Sequence, residues 1–160
     1  MTPRTPKEPK LEDLVSILPP DRILYVKDLR KYFPLRRGIV DFLRGRPQLQ
    51  VKAVDDSSFD IGFGEVFGLV GETGCGKTTA GKLIIRLYFP TSGTVLFKPK
   101  TERLKELEET SGGSIEEAKG YIDVASLPEK FLKPIRKEMQ MIFQDPYGAL
   151  DPRFKIRDVL

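Results

Sequence analysis

Hydrophobic and polar positions along this chain fall into blocks, each of which predicts an element of structure. Leu11 to Leu18 predicts a short amphipathic helix that stops at Pro19-Pro20, where the ring and the missing N–H end helical bonding. Ile23-Leu24-Tyr25-Val26, followed by Leu29 and Tyr32-Phe33, predicts an extended segment that closes at Pro34. The stretch Val51 to Ile61 predicts a second strand. Gly62 and Gly64 then turn it into Glu65-Val66-Phe67-Gly68-Leu69-Val70, an apolar run suited to a buried parallel strand. Leu83, Ile84, Leu87 and Tyr88 sit at helical spacing, so Ala80 to Tyr88 is predicted as helix. Pro90-Thr91-Ser92-Gly93 predicts a turn into a strand over Thr94 to Phe97.

The next blocks are weaker. Thr101 to Glu109 carries only Leu104 and Leu107 among charges, a thin stripe that predicts a solvated surface helix. Thr110 to Ser114 reads as a flexible loop, with Ser114 and Glu117 spaced as a capping box for the following turn. Pro128 to Lys137 is predicted helical apart from Pro134, and Glu138 to Phe143 as a strand running into Gln144. The chain ends at Leu160 in the start of another helix, and no internal repeat is found. Pro3, Pro6 and Pro9 among charges make residues 1–20 a disordered or weakly helical lead-in, and Arg36 to Gln50 is a basic loop. The expected architecture is α/β, an antiparallel β subdomain leading into a parallel core.

Composition narrows the classes. With 27 Lys and Arg against 23 Asp and Glu, the net charge of +4 is too mild to argue for a nucleic-acid partner. Cys75 is the single cysteine, which rules out a disulfide framework and suits a reducing cytosol. No apolar run approaches the roughly 18 residues needed to cross a bilayer, so membrane association is expected to be peripheral.

The chemistry lies in Gly71-Glu72-Thr73-Gly74-Cys75-Gly76-Lys77-Thr78-Thr79, which satisfies G-x-x-x-x-G-K-[ST] between a predicted strand and a predicted helix. Glycines at 71, 74 and 76 are expected to supply φ > 0 and room for phosphate oxygens, while successive N–H groups and the helix N-terminus supply positive potential. Lys77 is then placed to reach β- and γ-phosphates, Thr78 to offer its hydroxyl to Mg2+, and Thr79 to bond a phosphate from the first turn. The plainer alternative is a Gly-rich turn that merely caps a helix.

Downstream, Met141-Ile142-Phe143-Gln144-Asp145-Pro146-Tyr147-Gly148-Ala149-Leu150-Asp151-Pro152-Arg153 resembles the Q-loop region of ABC-type ATPases, most closely those of oligopeptide and dipeptide importers. Lys31-Tyr32-Phe33-Pro34, Lys52 to Asp56 and Arg86 to Gly93 are similar to runs in the same subunits, so the resemblance spans Leu24 to Leu160 and is loosest over Lys98 to Lys133. It implies a P-loop fold of the ABC nucleotide-binding type over residues 21–160, binding ATP and Mg2+. It also implies that Phe33 stacks on adenine, with Tyr32 as the neighbouring candidate, and that Gln144 touches Mg2+ and the γ-phosphate. Asp145 to Arg153 would line a groove for a transmembrane permease, and a second ATP-binding subunit would complete the dimer at the cytoplasmic face of the membrane. Asp151 departs from the asparagine those importers commonly carry.

The larger departure lies downstream of the Q-loop, where that family carries a signature loop, a Walker B aspartate with its glutamate, and a switch histidine. The chain ends sixteen residues past Gln144 and contains no histidine, so the expectation is the N-terminal part of a longer subunit that binds ATP without hydrolysing it alone. Ser111-Gly112-Gly113 is a decoy for the signature, since it precedes Gln144 and lies in a polar loop. A GTPase is excluded by the absence of any asparagine for an Asn-Lys-x-Asp motif, which leaves a binding module without turnover, or a non-transport ABC ATPase, as alternatives.

Overall fold

The computed structural model describes residues 10–19, 21–35, 47–112 and 115–143. The lead-in before Lys10, most of the basic loop, Ser114, Gln144 and the groove segment 145–153 therefore lie outside the described residues, as does the helix expected near Leu160. Helix α1 (Leu11–Ser16) forms where expected. Strands β1 (Arg22–Pro34) and β2 (Gln50–Gly62) pair antiparallel from Arg22 opposite Gly62 to Pro34 opposite Gln50. Their register slips around Leu29, near which Asp28 and Asp56 take φ of 50° and 61°. Aspartate is among the few residues that tolerate this region.

Helix α2 (Lys77–Ile84) leads to β3 (Ser92–Phe97), which pairs antiparallel with the free edge of β1. After α3 (Thr101–Ser111) come β4 (Glu117–Ala118), β5 (Tyr121–Asp123), a 3-10 turn over Glu129–Phe131 and α4 (Leu132–Arg136). The sheet order is β2-β1-β3-β5-β4, antiparallel throughout. Both faces are covered. Val26, Val95, Phe97 and Ile122 pack against Ala80 and Leu83 of α2, Leu107 of α3, and Leu132 and Ile135 of α4. On the other face Leu96, Ala118 and Tyr121 receive Leu11, Leu14 and Val15 of α1. The uninterrupted Val95-Leu96-Phe97 run results from this, because alternate side chains enter two different cores.

Several expectations are corrected. Glu65 to Val70 forms no strand, and Val66 and Val70 are 97% and 94% exposed. A strand exists only through hydrogen bonds to a neighbour, and none lies beside this run among the described residues. Phe67 instead stacks on Phe59 of β2 at 5.0 Å. Glu138 to Phe143 likewise forms no strand, with Ile142 94% exposed. The stripe of α3 is packed rather than solvated, since Leu107 is buried and Leu104 rests on the same core. Glu117 caps no helix. It lies in β4 and its carboxylate accepts the Gly120 N–H across the Lys119-Gly120 turn, where both residues have positive φ as a tight hairpin requires.

Helix α2 is also shorter than predicted. Arg86 takes φ 59°, its N–H reaches Leu83 O at 3.0 Å, and the Leu87 N–H reaches Lys82 O at 2.8 Å. That is a Schellman ending with arginine where glycine is usual, at a backbone cost of about 1 kcal/mol. Pro134 is tolerated because it falls in the first turn of α4, where no intrahelical N–H is needed.

Gly93 sets the approach of β3 to β1. Its φ is 100°, and a Cβ there would stand 2.5 Å from Asp28 O and 2.6 Å from Leu29 Cα. Gly93→Ala should therefore destabilise the chain by about 2–4 kcal/mol, combining a forbidden backbone angle with overpacking. Urea unfolding checks this, and a change under about 1 kcal/mol would show that the β1–β3 contact yields more easily than drawn.

Candidate functional site

The loop from Gly71 to Gly76 is fixed at its far end by β2. Gly76 has φ 98° and serves as the residue preceding α2, and a Cβ on it would fall far inside contact with Ala53 O and 3.2 Å from the Ala53 carbonyl carbon. Only glycine fits there. Gly74, with φ 84°, bends through open space, and nothing lies within 4 Å of its missing Cβ. The expectation for Gly71 is corrected, because it is not among the positive-φ glycines. Its bareness makes room instead, since a Cβ would meet Cys75 Sγ at 2.7 Å.

Glu72, Thr73 and Cys75 form the outer bend, closed by the Cys75 N–H on Glu72 O at 3.2 Å, and all three are exposed. Lys77 folds back into this bend. Its ammonium donates to Gly71 O and Glu72 O at 2.7 Å each and lies 3.5 Å from Cys75 Sγ. Behind it α2 begins with no side-chain cap and no acidic residue in its first turn. Orphan N–H groups and the positive end of the helix dipole thus gather beside an ammonium ion. Thr78 is exposed and Thr79 half-buried at the same end.

Phe33 pairs with Val51, two residues before the Ala53 that touches Gly76. Its ring meets Tyr88 edge-on at 5.7 Å, and Lys31 Nζ stands 4.9 Å over it. Lys31 itself donates to Phe89 O at 2.6 Å, and its burial pulls its pKa below the ordinary lysine value. Tyr32 is engaged elsewhere, donating its hydroxyl to Asp55 beneath Lys52 Nζ at 5.4 Å. Adjacent strand residues point to opposite faces, so Phe33 and Tyr32 are not interchangeable. The structure thus brings the phosphate loop and Phe33 to neighbouring steps of one ribbon, while Gln144 lies outside the described residues. Sequence reasoning does not find Ala53, Lys31 or Tyr88. Only the Gly76 spacing hints at the first, and the helical spacing of Tyr88 makes it look like a core position.

A glycine loop that closes over a lysine at the head of an uncapped helix defines a P-loop nucleotide-binding protein. The sequence family described as ABC transporter matches residues 54–159, and this chain belongs to it. The oligopeptide transport ATP-binding protein AppF of Bacillus subtilis (strain 168) is 40% identical over 141 residues, 88% of this chain and 35% of that protein. Two proteins named OppF, with the same description, are 40% identical in Bacillus subtilis (strain 168) and 39% identical in Streptococcus mutans serotype c (strain ATCC 700610 / UA159). They cover 88% and 82% of this chain respectively, and 35% of each of those proteins. The chain thus spans about a third of the length of the curated relatives it matches. No helix among the described residues is long and apolar enough to cross a membrane.

The two positive-φ glycines of the loop should respond differently to alanine. Gly74→Ala is expected to cost about 1 kcal/mol for its backbone angle alone, whereas Gly76→Ala adds a clash with Ala53 and should cost at least about 3 kcal/mol. Paired denaturant unfolding of the two variants checks this, and equal losses would contradict the tight Gly76–Ala53 packing.

Proposed function

We propose that this chain binds Mg2+-ATP at residues 71–79 and belongs to a subunit that couples ATP binding and hydrolysis to peptide import. The observation that carries the proposal is the Lys77 ammonium held by two loop carbonyls at the head of an uncapped helix. An ammonium so placed exchanges those carbonyls for β- and γ-phosphate oxygens without moving far, and the first-turn amides of α2 add neutral donors to the same charge. Thr78 supplies a hydroxyl to Mg2+, which arrives with the phosphates and keeps most of its own waters. Gln144 is the second protein group offered to that ion. The names of the relatives support peptide transport, with permease subunits and a second ATP-binding subunit as partners at the cytoplasmic face of a membrane. Residues 21–160 are then the N-terminal part of the nucleotide-binding domain.

Phe33 is favoured over Tyr32 as the adenine platform. It lies on the α2 side of the ribbon with no hydrogen-bonding group to satisfy, whereas the Tyr32 hydroxyl is committed to Asp55 and its backbone N–H to Thr91 Oγ1 at 3.0 Å. In the working subunit the site acts by positioning and charge stabilisation rather than covalent chemistry: Lys77 and the loop amides hold the γ-phosphate where charge develops.

Calorimetric titration with Mg2+-ATP tests the reading. Lys77→Ala should remove most of the affinity, by at least about tenfold, because a phosphate charge loses its cationic partner. Unchanged binding would sink the phosphate-loop assignment. Phe33→Ala should weaken binding by roughly 1–3 kcal/mol, as loss of base stacking does elsewhere, and Tyr32→Ala by much less. The reverse order would move the platform to Tyr32.

A further inference from the structure

Arg86 is the one buried charged residue among the described residues, 4% exposed, and it sits in a backbone conformation that glycine would adopt without strain. What arginine adds there is its side chain. The guanidinium donates from Nε to Ala125 O at 3.1 Å and from Nη2 to Leu127 O at 3.0 Å, and lies 3.9 Å over the Phe89 ring. It thereby fastens the end of α2 to the stretch that joins β5 to α4. A second arginine returns the link: Arg136 of α4 donates from Nη2 to Arg86 O at 2.8 Å and from Nε to Ile85 O at 3.5 Å, and pairs with Glu129 at 3.1 Å. These carbonyls belong to the orphaned end of α2, where a cation is also favoured by the helix dipole. Further along, Gly81 leaves room for Met141, whose Cε would lie 3.4 Å from a Cβ there.

We infer that Arg86 and Arg136 are positioning residues that carry a change at the phosphate loop through α2 to the segment 125–141. The inference rests on the reading of the loop as an ATP site. Helix α2 has only eight residues, about 12 Å of rigid rod, with Lys77 at one end and both guanidinium contacts at the other. When phosphate draws Lys77 from the Gly71 and Glu72 carbonyls and engages the first-turn amides, any displacement of this rod reaches the carbonyls that Arg136 holds. Direct donors to backbone carbonyls pass it on more faithfully than apolar packing, which can slide. The segment that receives it continues in sequence towards Gln144.

Hydrogen exchange of the chain with and without Mg2+ and a non-hydrolysable ATP analogue tests this, with binding measured separately by fluorescence. In the unaltered chain the analogue should slow exchange over 71–80 and, by about fivefold, over 129–141. Arg136→Gln should still bind and still protect 71–80, but the nucleotide-dependent slowing at 129–141 should fall below about twofold, with Arg136→Lys restoring part of it. A purely structural arginine gives another pattern: exchange at 129–141 rises equally with and without nucleotide, leaving the difference intact, and this would overturn the inference. Binding by the unaltered chain with no change at 129–141 would overturn it too. Absence of any binding would instead overturn the ATP-site reading and the inference with it. Should Arg136→Gln not fold, Glu129→Gln, which frees Arg136 from its ion pair at an exposed position, should show a partial loss of the same difference, and an undiminished difference would overturn the link.

Discussion

Between the Gly76 backbone and the Ala53 carbonyl there is no space for a side-chain carbon, and the position of the phosphate loop is set by that contact. Because β2 is held in register along the whole of β1, the carbonyl is a fixed point established by a thirteen-residue ribbon rather than by the loop itself. The left-handed turn at Gly76 then aims α2 across the sheet, so that Ala80 and Leu83 enter the main core. Loop, helix and sheet are thus placed by one close approach. The same ribbon brings Phe33 to a neighbouring rung, which is how residues more than forty positions apart come to share a site.

Within that frame the loop is prepared for an anion. Two carbonyls hold the Lys77 ammonium in the bend while the first amides of α2 have no side-chain cap. Donors already gathered in place lose little freedom when a ligand arrives, so more of the interaction remains as affinity. At the opposite end the helix is closed by arginines rather than by glycine. Its two ends therefore differ in kind: one is left open for phosphate, and the other is tied to α4 and the stretch before it.

Much of this is legible in the sequence, for definite reasons. The strands β1, β2 and β3 and helix α1 are long enough or sharply enough bounded by proline and glycine to show in the pattern of apolar positions, and the loop announces itself by glycine spacing. Glu65 to Val70 and Glu138 to Phe143 mislead because apolar content marks a potential strand, whereas pairing needs a partner that no single segment contains. Strands β4 and β5 escape notice for the opposite reason. They hold two and three residues, and the Lys119-Gly120 turn between them is their chief signal. Arg86 gives no sign, since a helix end is sought at glycine, and the glycine pattern credits Gly71 with a backbone role when its value is the room it leaves for Cys75.

If the loop at the head of α2, set by β2, receives the phosphates of ATP, its own amides must register their arrival. Backbone amide shifts from nuclear magnetic resonance, followed as Mg2+-ATP is added, test this most directly. The amides of Gly74, Gly76, Lys77 and Thr78 are predicted to move furthest and to saturate together, while those of Ala118 and Tyr121 on the far face of the sheet stay still. Saturable binding that leaves the loop amides unmoved, or that shifts the α1 face most, would contradict it.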